Sequence, residues 1–293
     1  MKILICSNGM PAADNAARIG GLFAGGAKAD TTLFGIAEKP EDEKPLRAAL
    51  ENEAEQLRQT GAIPQLVITG GDPVREIVKQ TSAFVYDLAV IGAERKGRTG
   101  PYWRSRRTYE VVKAVTPPVL VAMGECKQLK SFVVCTGGKS YIEDAVVLTG
   151  QLAAAVGASV TLLHVMAEPP VMYADLLRLE EDLDRLLGSN SELAMNLSRQ
   201  KKDLEEMGVK AEVRIRHGVV LNQVLLEARE HNHDLIVTGS SQARGLVRHY
   251  IMGDLTRSIL NHADCPVLVA RFKPPLESGN IFRSLQRIFE IRR

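Results

Sequence analysis

The sequence predicts an α/β protein of two doubly wound domains, each with a parallel sheet of five strands. Three observations predict it. Residues 234–271, DLIVTGSSQARGLVRHYIMGDLTRSILNHADCPVLVAR, read as a buried strand (235–238) that runs into Gly239 and a polar loop with Gly245. Gly253 and an amphipathic helix over about 254–262 follow, and a second buried strand (267–270) closes the unit. Residues 87–122, DLAVIGAERKGRTGPYWRSRRTYEVVKAVTPPVLVA, repeat that unit, with D-L-A-V-I-G echoing D-L-I-V-T-G and P-V-L-V-A recurring. The period, about 147 residues, is that of a whole domain and too long for a solenoid repeat. In both halves strands alternate with helices, as parallel sheets require for their crossovers.

The first half opens with a strand at 2–6, the loop Ser7-Asn8-Gly9 and a helix over about 12–24, weakened by Gly20 and Gly21. A strand at 31–36, a charged segment (38–44) and a helix over about 45–60 follow. Next come a strand at 65–69, the turn Gly70-Gly71-Asp72-Pro73, a helix to about Ser82 and a strand at 88–91. A basic loop, a helix over about 106–114 and a strand at 119–121 complete the half. The second half repeats the order. A strand at 131–135 leads through Thr136-Gly137-Gly138-Lys139-Ser140 to a helix over about 142–156 and a strand at 159–165. Residues 172–207 read as a longer helical stretch broken at Gly188-Ser189-Asn190, with Leu176, Leu179, Leu183 and Leu187 on its core side. A strand at 210–216, His217-Gly218 and a helix over about 220–230 lead into the closing unit. The domains are drawn at 1–126 and 127–273, with a tail at 274–293 that opens on Pro274-Pro275.

The length of 293 residues suits about two domains. A hydrophobic fraction of 45% and a charged fraction of 25% are those of an ordinary globular chain. The net charge of +2 supplies no general drive towards nucleic acid or membrane. No apolar run reaches the roughly 18–20 residues of a membrane span, and the N-terminus has no secretory h-region, so the chain reads as cytoplasmic. The four cysteines (Cys6, Cys126, Cys135, Cys265) form no CxxC and read as small buried hydrophobes.

With these residues placed, the chain resembles a tandem universal stress protein over about residues 1–272. The resemblance rests on a G-D-P turn before the third helix (Gly71-Asp72-Pro73, more loosely His217-Gly218-Val219), the D-L-I-V-x-G strand exit and the C-P-V-L-V final strand. It implies a flavodoxin-like, Rossmann-type fold in each half, pairing through the last strand, a stress or signalling role and an adenine nucleotide, ATP or AMP, as ligand. Members that bind ATP place an Asp at the end of the first strand, a Val at the end of the second and a G-x2-G-x9-G-[ST] loop at the phosphates. Here Asn8 and Gly137 stand where the Asp would be, and Ile36 and Val165 match the Val. Gly239 and Gly253 match the outer loop glycines, Gln242 replaces the middle one and Asp254 replaces the Ser/Thr. In the first half only Gly92 fits, and Ser105-Arg106 fall where Gly-Ser would be.

The resemblance therefore puts a candidate nucleotide site in the second half: Gly137, Gly138, Val165, Gly239, Ser240, Ser241, Arg244, Gly245, Gly253 and Asp254. A carboxylate at Asp254 repels phosphate, so weak ATP binding is expected, with Mg²⁺ helping where it bridges. No catalytic residue and no protein metal site are predicted. Gly138-Lys139-Ser140 lacks the earlier glycine of a P-loop, because Val133 holds that place. His231 and His233 read as a solvated helix cap. Arg95, Lys96, Arg98, Arg104, Arg106 and Arg107 crowd one loop with Tyr102 and Trp103, for which a solvated loop, an anion site and single-stranded nucleic acid stay open, the net charge speaking against the last. Two further function classes stay open: a nucleotide hydrolase of the same superfold, and a docking or dimerisation module without ligand. The halves are expected to pair through 119–121 and 267–269 as an intramolecular pseudo-dimer, with Leu120 and Leu268 matched, and a higher homo-oligomer stays open. In the tail, Ile281, Phe282, Leu285, Ile288 and Phe289 recur at helical spacing with Arg283, Arg287, Arg292 and Arg293, the pattern of a basic amphipathic helix, for which docking on its own protein or on a dimer mate is favoured over a membrane surface.

Overall fold

A computed structural model describes residues 1–93, 106–124, 126, 128–137, 142–167, 189, 191–242, 250–251 and 253–272. The first half runs β1 (Lys2–Ser7), α1 (Pro11–Gly26), β2 (Asp30–Ala37), a 3-10 turn (Pro40–Asp42), α2 (Glu43–Gln59), β3 (Pro64–Gly70), α3 (Pro73–Ala83), β4 (Leu88–Gly92), α4 (Arg106–Ala114) and β5 (Val119–Ala122). The second runs β6 (Ser131–Cys135), α5 (Glu143–Val156), β7 (Ser159–Met166), α6 (Glu192–Glu206), β8 (Ala211–His217), α7 (Val220–Glu230), β9 (Leu235–Gln242), β10 (Tyr250–Ile251), α8 (Asp254–His262) and β11 (Val267–Phe272). Leu176, Leu179, Leu183 and Leu187, the basic loop up to Ser105 and the tail lie outside the described residues.

One continuous sheet carries both halves, in the order β3-β2-β1-β4-β5-β11-β9-β6-β7-β8, with β10 beside β9. Each half thus shows the strand order third, second, first, fourth, fifth, and the strands of each order are parallel. The halves meet antiparallel at β5 and β11, with Val267 opposite Val121, Leu268 opposite Leu120 and Val269 opposite Val119. That register is the pseudo-twofold contact expected of two apolar edge strands, and it leaves neither unpaired. Because the contact is antiparallel, the carboxyl ends of the two parallel sheets point in opposite directions.

Helices cover both faces. Ile19 and Phe23 of α1, Leu50 and Leu57 of α2, Leu152 of α5 and Leu197 of α6 are buried in one core. Ile77 of α3, Val111 and Val112 of α4, Val224 of α7, and Ile259 and Leu260 of α8 are buried in the other. Both cores run across the junction. Phe23 meets Phe132 edge to face at 6.1 Å between ring centres, and a Cβ at Gly26 would collide with the backbone of Ala155 in α5. Arg271, buried on β11, donates from Nη2 to the carbonyls of Val112 (2.7 Å) and Val115 (3.0 Å) and from Nε to Pro117 (3.0 Å). A cation from one half thereby caps the carboxyl end of α4 in the other, where the helix dipole favours positive charge. Tyr109 of α4 donates to Asn261 of α8 across the same junction.

Two local expectations need correction. Helix α1 runs unbroken through Gly20 and Gly21 to Gly26. Both glycines sit where a Cβ would press on Ile5 (2.8 Å) or Leu57 (2.6 Å), so tertiary packing overrides their poor helix propensity. Strand β9 continues past Thr238 to Gln242, because its end finds partners on both sides: Ala270 to Phe272 on β11 and Tyr250-Ile251 on β10. The polar loop expected from Gly239 onward therefore begins as strand.

Candidate functional site

In a doubly wound sheet, ligands bind at the carboxyl ends of the strands, where the order reverses. In the second half that point lies at β6, between β7 and β9. The registers place the expected residues there. Cys135 pairs with Leu163 and Val134 with Val237, so Gly137, Val165 and Ser240 come level at the top of three adjacent strands. Gly137 is exposed and Val165 half-buried. Ile251 pairs with Ser241, so the chain returning along β10 brings Gly253 back level with Gly239. Thr256, buried in the first turn of α8, donates to the Gly239 carbonyl (2.8 Å) and lies 3.3 Å from the hydroxyl of Thr238. Gly239, Ser240, Ser241, Gly253 and Asp254 are thus brought to one end of the sheet. Gly138, Arg244 and Gly245 lie outside the described residues.

Helix α8 opens towards this end with no side-chain cap on its N-terminus. Its N-cap, Gly253, has φ −60° and ψ 160°, an ordinary extended conformation that any residue adopts. A Cβ there would meet no atom of the described residues within 4 Å. The fold itself therefore does not require glycine at 253. Asp254, the first helical residue, is exposed.

The equivalent region of the first half is built differently. Arg107, in the first turn of α4, forms a two-pronged ion pair with Glu38, its Nη2 2.8 Å from Oε2. Glu38 directly follows β2, so the pair ties the first turn of α4 to the end of β2. Asn8, where the resemblance looks for Asp, turns its Oδ1 back to the Met10 amide (3.1 Å).

Sequence reasoning missed a polar pair under each reversal point. Ser7 Oγ donates to Glu53 of α2 (2.7 Å), and Thr136 Oγ1 donates to Gln200 of α6 (3.3 Å), all four residues being buried. His164 Nδ1 adds a contact to the Thr136 carbonyl at 2.9 Å. The available signal was the repeat: Glu53 and Gln200 each stand three residues after one core leucine and four before the next, in an otherwise apolar stripe.

His233 corrects a second expectation. It is buried, with Nδ1 2.8 Å from Ser131 Oγ and Nε2 3.4 Å from Glu227, while His231 stays exposed at the end of α7. Glu227 is fully buried and also takes Arg214 (2.8 Å) and Arg216 of β8. Burial alone pushes its carboxyl up, but hydrogen bonds from His233 and Arg216 and the charges of Arg214 and Arg216 outweigh that and hold it at about 2. Burial pushes the thiols of Cys6, Cys135 and Cys265 up to about 12, so they stay protonated. Among the described residues no three His, Cys, Asp or Glu side chains converge on a metal position, and no helix is long and apolar enough to cross a membrane.

A sequence model of the universal stress protein family matches this chain twice, over residues 1–122 and 128–271. Over 81 residues, 28% of this chain, the sequence is 37% identical to a universal stress protein of Methanocaldococcus jannaschii, and the match spans 46% of that protein's length. A universal stress protein from Archaeoglobus fulgidus superposes with a TM-score of 0.68 at 17% identity, over 92% of this chain and 98% of that one. A functionally unknown protein from Pseudomonas aeruginosa superposes with 0.62 at 16% identity, over 99% of this chain and 97% of that one.

Proposed function

This chain belongs to the universal stress protein family, as a tandem member with two copies of the fold, and we propose that its second half alone holds an adenine nucleotide. One observation carries the proposal. Gly253 is a glycine that backbone geometry does not need, with no described residue within 4 Å of where a Cβ would lie, at the uncapped start of a helix beside Gly239. An anion seated there receives the first-turn amides directly and lies at the positive end of the helix dipole. In this arrangement Gly239, Ser240, Ser241, Gly253 and Asp254 face the phosphates. Gly137 borders the ribose, and the backbone of Val165 meets the adenine. In the first half the first turn of α4 instead carries Arg107, held by Glu38 at the end of β2, and the loop before α4 lies outside the described residues.

The nucleotide is bound rather than turned over. Asp254 sets its affinity: a carboxylate in the first turn competes with phosphate for the same amides. ATP therefore binds weakly, and Mg²⁺ strengthens it by bridging Asp254 and the phosphates. Asp254→Ser should tighten ATP by about 1–2 kcal/mol, the scale of a charge-assisted hydrogen bond gained. Titration calorimetry of both proteins, with and without Mg²⁺, tests this. Failure of both proteins to bind ATP, ADP or AMP at millimolar concentration would replace the proposal with a docking module whose crevices are both unused.

A further inference from the structure

The two halves finish the ladder between their first and second strands differently. In a parallel ladder every second residue turns its N–H and C=O to the same neighbour. Ser159 donates to the Lys130 carbonyl (2.9 Å), and Val160 donates the other way, to Lys210 (2.9 Å). Counting by twos along β7, residues 161, 163 and 165 therefore turn their backbone groups towards β6. Leu163 does so, accepting from the Thr136 amide at 2.9 Å. The next rung would carry the Val165 N–H to the Thr136 carbonyl. Among the described residues that rung is not made, and the pairing of β6 with β7 stops at Cys135 and Leu163. The carbonyl is met by a side chain instead, His164 Nδ1 at 2.9 Å. A carbonyl only accepts, so Nδ1 carries the hydrogen.

The first half is the control. There the Asp30 N–H goes to the Met1 carbonyl (3.0 Å), and the same count brings the Ile36 N–H to the Ser7 carbonyl. That rung is closed, because β1 and β2 pair one residue further, Ser7 with Gly35. Ser7 and Gly35 are the twins of Thr136 and His164. Gly35 has no side chain to offer, and a Cβ there would lie 2.2 Å from Cδ1 of Leu50. The same strand end is thus shut by backbone in one half and held open by an imidazole in the other.

Val165 therefore presents an N–H donor and a C=O acceptor side by side, level with Gly137 at the crevice end. A base edge that fits them has an acceptor ring nitrogen beside an exocyclic amino group, as adenine has. Hypoxanthine, with an N–H beside a 6-oxo group, offers the reverse. We propose that His164 is a positioning residue for this edge: it holds the Thr136 carbonyl, so that the N–H and C=O of Val165 stay open to the base. Ile36 has no such freedom, since the Ser7 carbonyl already takes its N–H. This role of His164 depends on the nucleotide crevice proposed above, and it adds which base edge the crevice reads and what keeps the reading groups open.

Two measurements on the full chain test this, the first without ligand. Amide exchange followed by NMR should be fast at Val165 and about a hundredfold slower at Ile36. In His164→Leu the Val165 amide should slow as the Thr136 carbonyl recaptures it. Equal protection of Val165 and Ile36 in the wild type would overturn the inference. The second is calorimetry with the magnesium salts of ATP and inosine triphosphate. The wild type should prefer ATP by about tenfold or more. His164→Leu should weaken ATP to the level of inosine triphosphate and leave the latter unchanged, whereas His164→Asn, which keeps a donor near the place of Nδ1, should retain the preference. Equal affinities in the wild type, a preference that survives His164→Leu, or a loss on both nucleotides that His164→Asn does not restore would each overturn the inference and leave the crevice standing. Binding of neither nucleotide would overturn the crevice and this role of His164 together.

Discussion

The two halves share one fold, and they differ at its ends. Where the junction and the cores need a residue, the halves agree: Leu120 faces Leu268, and Leu50 and Leu57 recur as Leu197 and Leu204. At the sheet ends they part. The first half has Arg106-Arg107 at the start of α4, tied to Glu110 and Glu38; the second has Asp254-Leu255 at the start of α8, opening from an uncapped glycine. The outer edge strand β8 carries Glu212, Arg214 and Arg216, whereas β3 carries Leu66, Val67 and Ile68. Charged edge strands resist pairing with other chains, and uncharged ones do not. A duplicated scaffold thus serves as its own control, because a feature present in one half only is not there to make the fold.

The comparison breaks first at the junction. Arg271 has no twin, since Met123 occupies the matching place on the first half. Arg271→Met should lower the unfolding free energy in urea by about 4 kcal/mol, because three buried carbonyls lose a charged donor. A loss under about 1 kcal/mol would mean that strand pairing alone holds the halves together.

Acid should separate the halves next. The folded carboxyl of Glu227, held at about 2, lies below its ordinary value of 4.5. Its stabilising contribution is therefore present above pH 4.5 and is lost as pH falls from 4.5 towards 2. The lost part is about 3 kcal/mol. Glu227→Gln should weaken the protein at neutral pH and flatten its stability across that window, and exchange between pH 4.5 and 2 should rise first in β8 and α7. An unchanged slope would show that the Arg214–Arg216–Glu227–His233 cluster contributes little.

The turn before each half's third helix sharpens the comparison on a smaller scale. Asp72 caps α3 by accepting from the Arg75 amide at 3.0 Å, with Pro73 in the first turn, whereas Val219 leaves α7 without a side-chain cap. Asp72→Ala should cost about 1 kcal/mol, and Val219→Asp should add a similar amount. Denaturation midpoints of the two variants check both signs. Arg107→Ala should move stability least, by under about 1 kcal/mol, because both partners of that ion pair are half exposed.

The repeat made most of the fold legible, since a second copy doubles every weak signal: the same glycine, aspartate and proline recur at the same strand ends. The pairing of Leu120 with Leu268 followed from two apolar edges that had to be covered. The extension of β9 and the short β10 were not legible. Gly239-Ser240-Ser241-Gln242 has loop composition, and only its partners across the sheet make it a strand. His233 looked like a solvated cap because its partner Glu227 lies six residues back on a helix, and nothing in sequence says that both turn inward, Glu227 onto β8 and His233 onto Ser131 of β6. Of the candidate site, the glycines were legible through the family resemblance. The buried Thr136–Gln200 and Ser7–Glu53 pairs beneath it were not, because each joins residues 64 and 46 apart.

The division of labour between the halves is tested most directly by counting bound nucleotide. The wild-type chain, titrated with MgATP in a calorimeter, should bind one molecule. Gly253→Arg, which places a long side chain at the start of α8, should abolish that heat without changing the melting temperature, and Arg107→Ala should leave it as it was. Two molecules per chain, or a single site that survives Gly253→Arg and vanishes with Arg107→Ala, would contradict the account.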